Sequence, residues 1–525
     1  MRSGNALNEQ QVGVEQELLL CDEKQLQRLD STIAFHEALL GEMYTGQAFL
    51  RNRIWLRKAL KAPIHRVPTE VIQEILVLAC SEETQDWAGK PVFPVAMFGH
   101  YDRNAPNNLA QVCVRWHQIV RNTPVFWQAL TIRTPRTDLE QRRLRQTLAL
   151  SGSHSLKLAI DRGAWPLPFS SLYAPLVQAF ARTSELHVDY GLIMEENFDR
   201  VVDWRMLKRL FLHVRGVHGG SEPRPFSQAQ LTSLIKAPGL ERLWTNSFTE
   251  LANQEMFPPG TLLALECGEG GTIQLRYLRE LLRRCPGLRS LSVNVRFSHE
   301  GQAIQEPIVL AEVERLAYHC ESSQATIFLD LLTARFLTEL VLPIDPSDDI
   351  WSHVIDFVDR SECRLRSLDC SLPWSFTDNS SGWSSLFARL VNLTTLTVKV
   401  PLNVSWTGQS ALDVLCNVLS GGTSGGAPLL TMLQSFQVAT RGGDWKDVDH
   451  VDTDRIAASV IRFAEVRSPQ NQDLTVVPLR NVCLLLESRQ GWGDQARVPV
   501  LGRLGMRREA LVSAGMNCVV SFAFI

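Results

Sequence analysis

The sequence predicts an α/β chain in which a helical N-terminal region leads into a long, irregular solenoid of stacked strand-and-return units. Three observations carry that expectation. An apolar–x–apolar pair recurs from residue 156 almost to the end of the chain. Residues 14–60 contain no Pro and carry a heptad-like apolar rhythm. The 525 residues, 45% hydrophobic and 21% charged, are too many for one compact core and too apolar for global disorder.

The first 13 residues read as a disordered lead. From 14 to 61 the pattern predicts an amphipathic helix or a short coiled coil: Leu26, Leu29, Ile33, Leu40, Met43, Leu50 and Ile54 share one seam, which His36 and Gln47 interrupt. Such a seam either packs on a neighbouring part of the same chain or serves as a dimerisation zipper. Gly41 and Gly46 weaken its middle.

Residues 62–80 follow with Pro68 suited to the first helical position and Glu70 in the first turn, where the helix dipole favours an acid. Val71, Ile75 and Leu78 form one apolar row, and Ile72, Leu76 and Ala79 another. Two rows are too wide a face for one partner surface in so short a unit. This domain is expected to cover part of it and something else the rest. Residues 81–108 read as a polar insertion. Leu109, Val112, Cys113, Trp116, Ile119 and Val120 then predict one helical stripe, and Thr123-Pro124 predicts the start of another helix carrying Phe126 and Trp127.

The order of these signals resembles the F-box motif: Val67-Pro68, Glu70, Ile75-Leu76, Val112-Cys113, Trp116 and a closing Trp127. With the preceding helix, the Ala62-Pro63-Ile64 lead and the long insertion, residues 25–160 resemble F-box proteins of mushroom-forming fungi. The chain departs from the pattern at Val67, where Leu is usual, and in the width of the insertion. The resemblance implies that the motif, spanning 62–132, binds the Skp-type adaptor of a Skp–cullin–F-box ubiquitin ligase. The implied contacts are Pro63, Ile64, Val67, Pro68, Glu70, Val71, Ile75, Leu76, Leu109, Val112, Cys113, Trp116 and Trp127. A small, partly looped motif buries too little apolar surface alone, which agrees with a partner completing its core.

From 133 to 525 the recurring pairs are Leu156/Leu158, Leu186/Val188, Leu210/Leu212, Leu265/Cys267, Leu291/Val293, Leu316/Tyr318, Leu340/Leu342, Leu368/Cys370, Leu396/Val398, Phe436/Val438 and Val482/Leu484, with Leu243 marking a weaker one. Spacings of 22 to 33 widen to 40 and 46 near the end. Ten times an apolar residue stands three places before the pair, as at Leu207, Leu288 and Leu393. This is the pattern of a degenerate leucine-rich repeat: a short strand points its pair inward, a helix or arc returns, and neighbours stack into a horseshoe. The glycines of 420–428 and the charged stretch 439–454 read as insertions in the widest gaps. Target binding is expected on the concave face or loop rim.

Other chemistry finds little support. The net charge of −3 calls for neither nucleic acid nor membrane as partner, and no apolar run is long enough to span a bilayer. The eleven Cys are scattered without C-x-x-C, so they predict free thiols in a reducing compartment, cytoplasmic and/or nuclear, rather than a disulfide frame or zinc site. The polar N-terminus predicts no secretory leader. The GEGGT run at 268–272 lacks the Lys-Ser/Thr of a phosphate loop. The acids around His450 do not have the spacing of a calcium loop, and Arg142, Arg143 and Arg145 fit a solvated helix face. No cofactor, metal or catalytic group is expected. The sequence thus predicts a non-enzymatic ligase adaptor holding an unknown target protein, with a non-ligase leucine-rich scaffold or sensor as the alternative.

Overall fold

A computed structural model describes residues 9–60, 66–80, 105–132, 138–160, 178–189, 204–213, 234–235, 237–245, 260–298, 307–320, 322–342, 350–371, 380–401, 411–420, 429–441, 450–467, 477–488, 509, 512 and 516–524. The chain forms two compact units, Met1–Glu82 and Glu83–Ile525.

The first unit contains α1 (Glu9–Leu60) and α2 (Thr69–Cys80). Helix α1 is 52 residues long and begins inside the stretch expected to be a disordered lead. Each of its residues whose side chain is described is exposed.

In the second unit, α3 (Ala105–Ala110) and α4 (Val114–Asn122) precede a 3-10 turn at Pro124–Trp127 and strand β1 (Ala129–Ile132). Two expectations are corrected here. The stripe 109–120 is not one helix: it breaks at Gln111–Cys113, so Leu109 belongs to α3 and Trp116 to α4. Thr123-Pro124 starts only a single 3-10 turn. The following ALTI, rich in apolar and β-branched side chains, is a strand. The sheet therefore begins at Ala129, inside the segment assigned to the F-box-like motif.

Strands β2 (Leu156–Ile160), β3 (Thr183–Asp189), β4 (Arg209–His213), β5 (Arg242–Thr245), β6 (Ala264–Gln274) and β7 (Ser290–Ser298) follow, with α5 (Asp138–Leu150) before β2 and α6 (Leu275–Arg284) before β7. Then come β8 (Ile308–Val309), β9 (Arg315–Tyr318), α7 (Ser322–Leu331), β10 (Leu332–Thr333), β11 (Glu339–Val341), α8 (Ile350–Ser361), β12 (Ser367–Ser371), α9 (Ser380–Arg389), β13 (Thr395–Pro401), α10 (Ala411–Leu419), β14 (Ser435–Arg441), α11 (His450–Val466), β15 (Asn481–Ser488) and β16 (Asn517–Phe524). Among the described residues, fourteen strands form one sheet in chain order, and β8 and β10 form a separate two-stranded ladder. Every described pairing is parallel. Parallel neighbours need crossovers, and α7 to α11 supply them, each packed on the next.

The register lines the repeat residues into one column. Leu130, Leu158, Leu186, Leu210, Leu243, Leu265, Leu291, Leu316, Leu340, Leu368, Leu396, Phe436, Val482 and Cys518 are successive cross-strand partners. All but the partly buried Leu130 are buried. The first pair expected, Leu156/Leu158, is out of frame by two: Leu158 and Ile160 are the residues that align with Leu186 and Val188. Leu243 is a full member, and its second position is the buried Thr245. Leu207, Leu240, Leu262, Leu288, Val313, Leu337, Leu365, Leu393, Leu433 and Leu479, three places earlier, are buried as well.

From β5 to β15 the strands of the large sheet are entered in the same way. The N–H groups of Glu241 and Arg242 both donate to the Lys208 carbonyl. Those of Leu263 and Ala264 donate to Glu241, and the step repeats to Arg480 and Asn481 on Gln434, at 2.8–3.0 Å. Before it lies a tight turn, Pro238-Gly239 in one unit and Pro286-Gly287 in another. A Cβ on Gly239 would lie 3.2 Å from the Arg205 carbonyl oxygen and one on Gly287 3.3 Å from that of Gly260. Consecutive turns thus stack backbone to backbone.

Aromatic side chains fill the space between helices and sheet, as where Tyr318 of β9 stacks on Phe328 of α7 and Phe436 of β14 meets Phe463 of α11 edge-on. Arginines tie successive units. Arg182 donates to the Leu148 carbonyl (3.1 Å) and Ser151 Oγ (2.7 Å), and Arg360 to the Leu329 carbonyl (2.8 Å). Arg467 reaches the Leu430 carbonyl (2.9 Å), and its burial lowers its pKa to about 10. Among the described residues no helix is long and apolar enough to cross a membrane.

Candidate protein-binding surfaces

Helix α2 starts at Thr69, and the Pro68 carbonyl accepts the Ile72 N–H at 3.1 Å. Pro68 is therefore the residue just ahead of the helix rather than its first turn. Pro68 and Glu70 are exposed and Val67 is half-buried. The two apolar rows of α2 differ sharply. Ile72 and Leu76 are each 1% exposed, whereas Val71, Ile75 and Leu78 are 43%, 49% and 70% exposed. One row is covered and the adjacent row is open. Pro63 and Ile64 lie outside the described residues.

The other motif residues belong to the second unit. Cys113 has extended backbone and caps α4, its Sγ accepting the Trp116 N–H at 3.5 Å. Leu109, Cys113 and Trp116 are half-buried and Val112 is exposed. Trp127 is buried, and its indole Nε1–H donates to the Val120 carbonyl at 2.9 Å, tying the 3-10 turn to the end of α4. Trp127, expected as an adaptor contact, is thus an internal anchor. Of the insertion, 81–104 lies outside the described residues and its end belongs to α3.

A second surface is the sheet face opposite the leucine column, formed by the alternate strand positions. Lys157, Glu185, Arg209 and Arg242 are cross-strand neighbours there, as are His187, Phe211, Trp244 and Glu266. Glu185 accepts from His187 Nε2 at 2.8 Å and pairs with Arg209 at 3.4 Å, and the His187 ring stacks on Phe211 at 4.0 Å. Burial pushes the Glu185 carboxyl up, but the His187 hydrogen bond and the nearby cations outweigh it, and the net pKa is lowered. Glu266 shows the reverse balance. Burial outweighs Arg315 and Arg242, and its pKa is raised. Further along the face, Lys399 Nζ pairs with Asp369 Oδ1 at 2.8 Å.

Sequence reasoning missed these side chains because it followed the apolar members of each pair. The residues between them, His187, Phe211, Trp244 and Glu266, were the available signal. The GEGGT run lies within β6, where the register to β7 shifts between Cys267 and Gly271. The charged stretch around His450 is corrected: β14 runs to Arg441 and α11 starts at His450, while 442–449 lie outside the described residues, as do 421–428. Arg142, Arg143 and Arg145 are exposed on α5.

Cys267, Cys285, Cys370, Cys416 and Cys518 are buried free thiols. Burial pushes Cys285 to about 11 and Cys370 still higher, the opposite of what a nucleophile or ligand requires. Among the described residues no group of three His, Cys, Asp or Glu could hold a metal ion.

No known protein family matches the chain. No curated protein matches it either. Among solved structures, it is similar to the leucine-rich repeat-containing protein LegL7 from Legionella pneumophila, at 13% identity and a TM-score of 0.31, over 73% of this chain and 98% of that one. A likeness that faint carries no argument. The repeat architecture rests on the strand order and the continuous column of cross-strand partners from Leu130 to Cys518.

Proposed function

We propose that the chain is a non-catalytic adaptor: the F-box-like motif binds a Skp-type adaptor and through it a cullin ubiquitin ligase, and the repeat sheet holds a target protein. The observation that carries this reading is the divided face of α2. A covered Ile72/Leu76 row lies beside an open Val71/Ile75/Leu78 row, directly after the Pro68-x-Glu70 helix start. An open apolar row of that kind gains free energy on burial, at about 25 cal/mol per Å² removed from water. An adaptor of this type raises the rate of ubiquitin transfer by holding the target near the loaded enzyme, so it needs no reacting group of its own. On the sheet face opposite the leucine column, the exposed Arg242 and the half-buried Arg209 and Phe211 offer charge and aromatic area to a target, while the buried Glu185, His187 and Trp244 hold them in place.

The test is co-expression with a Skp-type adaptor followed by pull-down. Wild type is expected to be retained. Ile75→Asp with Leu78→Asp is expected to abolish retention without unfolding the chain, because both side chains are exposed. Retention unchanged in that variant, or no retention of wild type, overturns the reading.

A second reading is a leucine-rich scaffold that assembles no ligase. It is favoured by Trp127 and Cys113, which serve internal hydrogen bonds. Pull-down without any change in target turnover on deletion of the protein supports it.

A further inference from the structure

Helix α1 extends about 78 Å at 1.5 Å per residue, with its large apolar side chains in water. A helix gains most of its stability from burying a face, and the described residues of α1 bury none. Its seam repeats every seven residues. On a straight helix such a seam drifts by about 20° per heptad, so it keeps one face only when two helices wind around each other.

The charges select the direction. From Glu9 to Asp30 the helix has Glu9, Glu15, Glu17, Asp22, Glu23 and Asp30 against Lys24 and Arg28. Its last sixteen residues have Arg51, Arg53, Arg57 and Lys58 and no acid. Two parallel copies would set acid beside acid and base beside base. Two antiparallel copies set each acidic half against a basic half.

The seam supports the same arrangement. Placing Leu40 of one copy opposite Met43 of the other also sets Ile33 opposite Leu50 and Leu29 opposite Ile54. The two polar interruptions, His36 and Gln47, then face each other rather than an apolar side chain. Beside this core, Asp30 lies next to Arg51 of the other copy and Glu23 next to Lys58. A surface complementary to itself under a two-fold rotation is what a symmetric dimer needs, and antiparallel helix dipoles add to the attraction.

We infer that two copies of this chain pair through α1 as an antiparallel coiled coil centred on Leu40 and Met43. The Leu60 ends of the two copies then lie about 55 Å apart at helical rise.

The test is the mass of the full-length protein in solution, by sedimentation and light scattering over a concentration series. Wild type is expected at twice the 59.0 kDa of the chain. Leu40→Glu with Met43→Glu is expected at 59.0 kDa, with the thermal unfolding of the repeat unit unchanged. Arg51→Glu with Lys58→Glu is expected to weaken the dimer by about tenfold, and adding Glu23→Lys and Asp30→Lys to the same chain to restore it. A wild-type monomer at every concentration, or a dimer indifferent to the Leu40/Met43 change, overturns the inference. A dimer strengthened by Arg51→Glu with Lys58→Glu shows parallel pairing and overturns its direction.

Discussion

Leucines recur in two regions of this molecule and meet opposite fates. Along α1, Leu26, Leu29, Leu40 and Leu50 are half or more exposed, whereas the column from Leu158 to Leu396 is buried without exception. The side chains are the same, so the difference lies in what each backbone brings alongside. A parallel strand places the next strand's leucine in register and a returning helix above both. A lone helix places only its own next turn. Apolar periodicity therefore reports that a face needs covering, but it does not say whether this chain supplies the cover.

The most direct way to break the contrast is truncation in each region. Leu368→Ala is expected to cost about 2–5 kcal/mol, because the stacked units cannot collapse into the cavity. Leu29→Ala should leave the unfolding of the repeat unit within about 0.5 kcal/mol of wild type. Denaturant midpoints on matched samples check both, and equal losses would mean that α1 has cover within its own chain.

Buried polar groups give the next effect. Arg467→Met removes the bonds to the Leu429 and Leu430 carbonyls and is expected to cost about 1–3 kcal/mol by the same measurement. A surface-type loss of a few tenths would show that this arginine is solvated.

The two carboxyls on the sheet face opposite the leucine column sharpen the comparison within the second unit, and they carry opposite signs. The Glu185 pKa is lowered on folding, so its contribution is complete above the ordinary value of 4.5 and drains away as pH falls through the lower folded value. The Glu266 pKa is raised, so its ionised form costs stability at neutral pH, and that cost fades as pH falls toward 4.5. Glu185→Gln is expected to destabilise at pH 7 by about 1–2 kcal/mol and Glu266→Gln to stabilise by about 1 kcal/mol or less. Both differences should shrink in melting curves taken toward pH 4.

The smallest effect is at Glu362, which ends α8 with φ at +50°. Glu362→Gly should raise stability by roughly 0.5–1 kcal/mol, the left-handed backbone cost of a side chain less the extra chain entropy of Gly.

The repeat column was the most legible part of the sequence because each strand is covered inside and returns after a bounded interval. The slipped frame at Leu156 arose because that residue is also apolar and buried, so three alternate positions competed for two places. Strand β1 was hidden behind Thr123-Pro124, whose helix-starting chemistry is real but lasts one turn. The β8–β10 ladder is two residues long, too short for any period to show. At α2 both apolar rows were readable, but which one would be covered depends on packing that periodicity does not encode. The roles of Trp127 and Glu185 depend on side-chain bonds to Val120, His187 and Arg209, which apolar periodicity does not encode.

The repeated backbone step at the strand starts has a direction. In each case the carbonyl belongs to the earlier unit and the two N–H donors to the later one, from Lys208 and Glu241 through to Gln434 and Arg480. A ribosome releases the earlier unit first, so each newly emerged strand meets acceptors already in place. The array can thus be laid down like courses of brick, each on the one before. A chain halted during synthesis would show a finished lower edge and a last course still awaiting its donors.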